Sequence, residues 1–184
     1  MSKDIPRLEL DQLRPDLAAL LKPRVERLGY LGEFFKVTGQ LPDVLTHFYK
    51  LTDALKEALP DKVTETVALT IAARTGNAYE RHQHERLSLK LGYSEAWIRA
   101  VLALAPEKQK ELDAAEKASQ RLALSLLERY GRACAGELQA LVEAAGPEVA
   151  VGVLMLTGRY ATHAMTVNAL ELAPPVPSPL GAKP

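Results

Sequence analysis

Cysteine is almost absent from this chain, and its scarcity excludes two classes of protein. Cys134 is the one cysteine among 184 residues. A single thiol forms no intramolecular disulfide, so the chain is neither a disulfide-stapled secreted domain nor an enzyme that cycles a pair of thiols. We expect Cys134 to be a small buried core residue, with an intermolecular disulfide or a redox sensor as the alternatives.

Charge of one sign and long apolar runs are lacking as well. Lys plus Arg and Asp plus Glu number 23 each, which gives a formal net charge of zero. Nucleic acid and anionic membranes are therefore not expected as partners, because both favour a basic excess. The segment Met1–Pro6 has no apolar signal region, and no run approaches the ~20 apolar residues of a membrane span. The sequence predicts a cytoplasmic protein that can self-associate without charge repulsion.

Strand patterns are absent too, and helical spacing dominates. Aromatic residues make up 5% of the chain, and no alternating Val/Ile/Thr run occurs. Pro and Gly divide the sequence into segments with helical spacing of apolar residues. We predict helices over 14–28 (interrupted by Pro23), 32–38, 42–59, 60–76, 77–91, 94–104, 106–130, 136–145 and 147–172.

These segments predict an all-α orthogonal helical bundle. Its main domain is expected over residues 30–173, after an N-terminal extension of residues 1–29. The Pro-rich tail, residues 174–184, is expected to be extended or disordered, because closely spaced prolines cannot continue a helix. Asn77 and Ser94 are predicted to cap the helices that follow them.

Three titratable residues are predicted to meet at one helical hairpin. Glu80 and His84 are four residues apart, so they share a face of the helix that begins after Gly76. Glu65 lies on the preceding helix among small and apolar neighbours, where burial disfavours the charged carboxylate. At about 1.5 Å rise per residue, Glu65 and His84 differ by only ~5 Å in their distance from the turn.

We therefore predict Glu65, Glu80 and His84 as catalytic residues for proton transfer. His84 is expected to lie on the buried side, which continues through Leu87 and Leu91, and His82 on the exposed side. A Glu–His pair at this spacing is common on helices, so a pair without function is the alternative. An O,O,N ligand set is unspecific, and no metal or cofactor is expected.

A second group is predicted to bind the substrate. On the last helix, His163 shares a face with Arg159 and Tyr160, and Arg159 is a candidate clamp for a carboxylate. A His163 that only packs between helices is the alternative. Asn77 and Tyr79 complete the predicted substrate-binding set. Arg74 is a second candidate clamp, or a cation that interacts with the dipole of its own helix.

The pattern resembles the carboxymuconolactone decarboxylase and alkylhydroperoxidase D-like superfamily, in the branch that lacks the Cys-x-x-Cys motif. The resemblance covers about residues 30–173 and is carried by Glu65, Thr75–Glu80, His84, Gly92–Ser94, Thr157–Tyr160 and Asn168–Leu172. It implies the alkylhydroperoxidase D-like fold and a homo-oligomer, from dimer through trimer to hexamer.

The same resemblance separates two branches of chemistry. In the alkylhydroperoxidase D branch the motif reads Cys-x-x-Cys-x-x-x-His, with a glutamate twelve residues before the first cysteine. Glu65 and His84 match that glutamate and histidine, whereas Asn77 and Glu80 stand in place of the two cysteines. Because the thiolate is the nucleophile there, a dithiol peroxidase mechanism cannot operate in this chain. The form Tyr79-Glu80-x-x-x-His84 resembles the decarboxylase branch.

That branch implies loss of CO₂ from a lactone carboxylate, followed by proton delivery to the resulting carbanion. We expect a cofactor-free lyase that acts on a small carboxylated lactone or keto acid. In this hypothesis His84 shuttles the proton, Glu80 orients the imidazole, and Glu65 tunes or supplies the proton. Two alternatives stay open: a peroxidase-related antioxidant protein, disfavoured by the missing thiols, and a non-catalytic oligomeric binding protein.

Overall fold

The computed structural model describes residues 5–181, and there every regular element is a helix. Residues 5–181 are 72% helical and contain no strand, so the predicted all-α fold is confirmed. The expectations for Met1–Asp4 and for residues 182–184 of the tail lie outside the described residues. None of the described helices combines the length and the apolar character needed to cross a bilayer.

Nine α-helices follow one another along the described chain. They are α1 (Pro15–Leu28), α2 (Glu33–Thr38), α3 (Pro42–Ala58), α4 (Asp61–Arg74), α5 (Ala78–Lys90), α6 (Glu95–Leu102), α7 (Ala114–Arg129), α8 (Ala135–Ala145) and α9 (Pro147–Ala169). The chain divides between Asp53 and Ala54 into two compact units, and α3 runs across the division. The domain bounds expected from sequence, 1–29, 30–173 and 174–184, stay a prediction.

In the first unit, α1 continues through a proline. The predicted interruption at Pro23 is wrong, since one helix spans Pro15–Leu28. Proline removes the amide that would bond to the carbonyl four residues earlier, here that of Ala19. Ala19 is exposed, so water can reach that carbonyl, while Leu17 and Leu21 are fully buried on the other side of the helix. Burial of the two leucines therefore outweighs the lost hydrogen bond.

The second unit is built around α4. Every residue from 63 to 72 is buried, because α4 packs against α5, α6, α7 and α9. The main core cluster joins apolar side chains of α4, α7, α8 and α9, with Leu55 and Leu59 packed against it. A carboxylate in the middle of such a helix must find its partners inside the protein.

Side-chain caps fix several helix starts in this unit. Asn77 Oδ1 accepts from the amide of Glu80, and Ser94 Oγ accepts from that of Trp97, as predicted. The predicted long helix over 106–130 is wrong. A 3-10 turn covers Pro106–Lys108, and α7 begins only at Ala114, where Asp113 and Glu116 form a capping box. The two reciprocal bonds satisfy amides that have no partner within the helix at its start.

The chain beyond Ala169 leaves the helical conformation earlier than the predicted end at residue 172. Its backbone carbonyls accept hydrogen bonds from side chains of α5 and α6: Val176 from His82, Pro177 from Arg86 and Leu180 from Arg99. His82 is therefore half-buried, and the prediction that it is exposed is wrong. Helical spacing alone does not show that a distant segment covers that face.

Candidate functional site: a buried glutamate–histidine relay

The hairpin of α4 and α5 brings the three predicted catalytic residues together. Gly76 turns the chain with a positive φ of 67°, which glycine adopts without strain. Asn77 then caps α5, and its own amide bonds to the carbonyl of Ala72. The capped start fixes the rotation of α5, so that Glu80 and His84 face α4.

His84 lies between the two carboxylates. Its Nδ1 is 2.7 Å from Glu65 Oε2, and its Nε2 is 3.2 Å from Glu80 Oε2. The exposed fractions are 2% for Glu65, 7% for Glu80 and 6% for His84. Ser88 Oγ donates to Glu65 Oε2 at 3.4 Å. We call Glu65, His84 and Glu80, with the α9 residues Tyr160 and His163 that contact them, the relay.

Helix α9 supplies the other half of the relay. The Tyr160 hydroxyl is 3.2 Å from His84 Nε2, and the two rings meet edge to face with centroids 5.3 Å apart. His163 Nε2 is 3.3 Å from Glu80 Oε1. Tyr160 and His163 were expected in a pocket wall, but here they bond to the predicted catalytic residues themselves. These contacts depend on tertiary packing and could not be predicted from helical spacing, because α9 is more than seventy residues further along the chain.

The pKa of the His84 imidazole lies above its usual 6.5. Burial pulls that pKa down, because the imidazolium loses its hydration. The attraction of the Glu65 carboxylate, together with the hydrogen bonds to Glu65 and Glu80, outweighs burial. The relay therefore favours a protonated His84.

The opposite shift occurs at Glu80, whose pKa lies well below the usual 4.5. Burial pushes this pKa up, but the charge of His163, the hydrogen bond and charge of His84, and the charge of Arg159 outweigh burial. Glu80 is thus held as an anion between two imidazoles. An anion that stays ionised can orient a histidine and stabilise its charge, as the carboxylate of a catalytic triad does.

The remaining predicted substrate-binding residues surround this cluster. The guanidinium of Arg159 lies over the Tyr160 ring, 4.3 Å from its centroid. The Tyr79 ring is 6.1 Å from the ring of His163, centroid to centroid. Asn77 is buried, and its Nδ2 has no hydrogen-bond partner among the described residues. A buried donor without a partner is costly, and a ligand oxygen could satisfy it.

The buried face of α5 differs from the predicted one. Leu91 is 39% exposed, so the prediction that it points inward is wrong, whereas Glu85 and Ser88 are buried. The reason is that α5 is covered from more than one side. Arg81 pairs with Glu85, and Ser178 of the tail donates to the same carboxylate. Ser88 could have been found from sequence, since it is four residues beyond His84 on the same face.

Cys134 takes no part in the relay. It precedes α8 in the main core cluster, is buried, and its Sγ lies 3.4 Å from the carbonyl of Arg132. The expectation of a small core residue is confirmed. Within the described part of the chain, no three His, Cys, Asp or Glu side chains converge as a metal ion would require.

The tautomer and charge of the His84 imidazole determine which hydrogen bonds the relay makes. When His84 is protonated, Nδ1–H donates to Glu65 and Nε2–H donates to Glu80. When Nε2 loses its proton, it can accept from the Tyr160 hydroxyl at the same distance of 3.2 Å. Neither state leaves a buried polar atom of the imidazole unpaired, so a proton can leave and return at Nε2 without the desolvation cost of a stranded group.

Comparison with known proteins gives matches at the levels of sequence family and fold. The family model "Carboxymuconolactone decarboxylase family" matches residues 40–107, which includes Glu65, Glu80 and His84. No curated protein sequence matches the chain.

Solved structures share the fold at low sequence identity. A peroxidase-related protein from Ralstonia eutropha with an alkylhydroperoxidase AhpD core has a TM-score of 0.79 at 18% identity, over 94% of each chain. The debrominase Bmp8 in complex with 2,3,4-tribromopyrrole has a TM-score of 0.79 at 14% identity, over 94% of this chain and 92% of its own. A peroxidase-related protein from Silicibacter has a TM-score of 0.75 at 16% identity, over 95% of each chain.

These neighbours are named for different activities, and their sequences are only 14–18% identical to this chain. They therefore establish the fold alone. The family match includes α4 and α5, which carry Glu65, Glu80 and His84, and the fold is that of alkylhydroperoxidase D-like proteins. The resemblance to the carboxymuconolactone decarboxylase and alkylhydroperoxidase D-like superfamily is therefore confirmed, with the family match over residues 40–107 and the fold over 94% of the chain.

Proposed function

We propose that the protein is a cofactor-free lyase that decarboxylates a small carboxylated lactone or keto acid by proton transfer. The observation that carries the proposal is the pairing of His84 Nε2 in both of its protonation states, with Glu80 in one and Tyr160 in the other. A general acid needs such a proton, held near neutrality and replaceable without structural cost. The pKa of His84 lies above its usual 6.5, which favours the protonated imidazole.

The proposed step balances without a cofactor. The bond from carbon to the carboxylate breaks, CO₂ leaves, and the electron pair enters the conjugated carbonyl of the lactone or keto acid as an enolate. His84 Nε2–H then delivers its proton to the carbon, and the neutral imidazole accepts a hydrogen bond from Tyr160. Glu65 keeps Nδ1 protonated throughout, which fixes Nε2 as the exchanging atom.

Substrate binding is assigned in the proposal to the residues around the relay. Arg159 supplies the positive charge that a carboxylate substrate needs, and Asn77 supplies a buried amide donor. Tyr79 and His163 complete the wall on the side of Glu80. The homo-oligomer and the cytoplasmic location expected from sequence are part of the same proposal, and light scattering of the purified protein measures the assembly.

Peroxidase chemistry of the dithiol type is not proposed, although some fold neighbours are peroxidase-related. The single thiol, Cys134, is buried in the main core cluster. A dithiol cycle needs a second thiol, and the sequence contains no other cysteine.

The test is CO₂ release from a panel of carboxylated lactones and β-keto acids. His84→Gln should lower kcat by about 10²–10⁴-fold, the usual contribution of a general acid. His82→Gln is the matched control on the same helix, since His82 contacts the tail and not the relay. Turnover that survives in His84→Gln overturns the mechanism. A panel with no turnover and no ligand-induced rise in Tm shows a non-catalytic protein instead.

A further inference from the structure

A second site lies away from the relay. A cavity of about 530 Å³ opens between the C-terminal ends of α4 and α7 and the middle of α9. Its apolar lining consists of Leu126, Leu127, Tyr130, Leu154, Ala161 and Met165. Cavities of roughly 300–1,000 Å³ with mostly apolar walls are the usual sites of small organic ligands. No relay residue lines this cavity.

The two threonine hydroxyls in the wall are already bonded to backbone carbonyls of the preceding helical turn. Thr75 donates to the carbonyl of Ile71 at 2.7 Å, and Thr157 donates to that of Val153 at 2.8 Å. A ligand therefore meets an apolar surface over most of the cavity. Its body must be apolar, since a polar body would lose hydration without gaining hydrogen bonds.

One cation stands at the edge of this apolar surface. Arg74 lines the cavity from the last turn of α4 and is exposed. Within residues 5–181, no acidic side chain lies within ion-pairing distance of its guanidinium. An unpaired guanidinium beside an apolar cavity complements a ligand with a carboxylate at one end.

Tyr130 adds an unusual backbone conformation at the same edge. It ends α7 in the left-handed region, with φ 54° and ψ 40°, although the next residue is a glycine that would adopt this conformation without strain. Its side chain is 83% exposed, so packing within the chain does not compensate for the strain. Strained residues of this kind occur at ligand clamps, where the bound molecule supplies the missing contacts.

We propose that this cavity binds a small amphipathic carboxylate, with its apolar body between α7 and α9, its carboxylate at Arg74 and the Tyr130 ring against the body. The cavity uses the face of α9 that carries Gly158 and Ala161, whereas Tyr160 and His163 point to the relay. At 100° per residue these are different sides of the helix. The ligand site and the relay are thus separate.

Octanoate and octanol form a matched pair of probes, because they share the apolar chain and differ in the charged head. Isothermal titration of the full-length protein, with octanoate below its micelle concentration, should give a smaller Kd for octanoate than for octanol. Arg74→Gln should raise the octanoate Kd about fivefold and leave the octanol Kd unchanged, as expected for one exposed ion pair. Arg27→Gln, an exposed arginine on α1, is the charge-matched control.

A second pair of variants tests the cavity itself. A Cβ at Gly158 meets no atom within 4 Å, so a side chain placed there begins in open space at the cavity wall. Gly158→Leu should weaken both probes at least tenfold, while Gly158→Ala, which adds only a methyl group, should retain binding. Both variants should keep the fold, because replacing a glycine inside a helix raises helix propensity.

Three results overturn the proposal. The first is no binding of octanoate, and the second is octanoate binding no tighter than octanol, which would show an unspecific apolar surface. The third is a change of assembly mass in Gly158→Leu by light scattering without any effect on the probes, which would assign this face to a second copy of the chain.

Discussion

Two buried glutamates of this protein, Glu65 and Glu116, accept hydrogen bonds from different kinds of donor. Both are 2% exposed or less, and both accept from more than one donor. The partners of Glu116 are the ammonium of Lys62 at 3.1 Å, the indole of Trp97 at 3.3 Å and the amide of Asp113 at 2.7 Å. Glu65 instead accepts from an imidazole, the type of side chain that gains and loses a proton most readily near neutral pH.

Burial of a carboxylate therefore does not identify a catalytic site by itself. Glu116 ties the start of α7 to α4 and α6 through an ammonium, an indole and a backbone amide. Glu65 is paired with an imidazole, which can gain and lose a proton. The kind of donor, and not the depth of burial, separates the structural carboxylate from the one proposed to act in proton transfer.

The largest effect on stability should follow from removing the Glu65 carboxylate of the relay. Glu65→Ala leaves the buried Nδ1 of His84 and the hydroxyl of Ser88 without their acceptor, and we expect a loss of about 3 kcal/mol in the free energy of unfolding. Urea denaturation measures it. Glu65→Gln, which keeps the shape and an acceptor oxygen, should lose less. Equal losses in the two variants would show that packing, and not pairing, is responsible.

A smaller loss, about 2 kcal/mol, is expected for Glu116→Ala, because its partner Lys62 is partly exposed and can be rehydrated. The sharper contrast lies in titration. The pKa of His84, measured by NMR of the imidazole nitrogens, should fall in Glu65→Gln and stay unchanged in Glu116→Gln. A shift of the His84 titration in the Glu116 variant would contradict the separation of the two clusters.

The relay should also make stability depend on pH. A raised His84 pKa stabilises the fold fully below the unfolded value of 6.5, and this contribution is lost as pH rises through the folded pKa. The lowered Glu80 pKa stabilises the fold above 4.5, and that contribution is lost as pH falls through the folded value. The combined contribution is complete only between about 4.5 and 6.5.

Thermal denaturation from mildly acidic to alkaline pH tests this window. The wild-type Tm should fall on the alkaline side, and His84→Gln should remove that part of the slope. His82→Gln should keep it, since His82 bonds to the tail carbonyl of Val176. An alkaline slope that is identical in all three proteins would show that His84 does not carry the linkage.

The smallest expected change in stability concerns a residue at the cavity, and it is a gain and not a loss. Tyr130→Gly places glycine at the left-handed position that ends α7, and we expect stability to rise by about 1 kcal/mol from relieved strain. The substitution should also weaken octanoate binding. A destabilised Tyr130→Gly would show that the exposed ring makes contacts that outweigh the backbone strain.

The sequence predicted the half of the relay that local spacing determines. Glu80 and His84 follow from the helical repeat, and Glu65 follows from two helices of known length joined by a short turn. The contacts of Tyr160 and His163 could not be derived, because they depend on how α9 packs against the hairpin. The same limit explains His82, since the segment that covers it lies 94 residues further along the chain.

Sequence signals for a helix start also gave a wrong boundary where two of them lie close together. The segment 107–130 contains no proline or glycine, but Asp113 and Glu116 form a capping box inside it and start a new helix there. The motif was readable as an acidic residue followed three residues later by glutamate. Pro106 predicts a helix start, but in the structure it begins only a 3-10 turn.

The C-terminal segment is held through its peptide carbonyls, with His82, Arg86 and Arg99 as the donors. Main-chain recognition is indifferent to the identity of the side chains that it passes over. Apart from Ser178, which donates to Glu85, and Leu180, which packs against the cluster around Trp97, side chains in this stretch are therefore expected to vary among homologues. Poor alignment of these residues would not mean that the segment no longer binds α5 and α6.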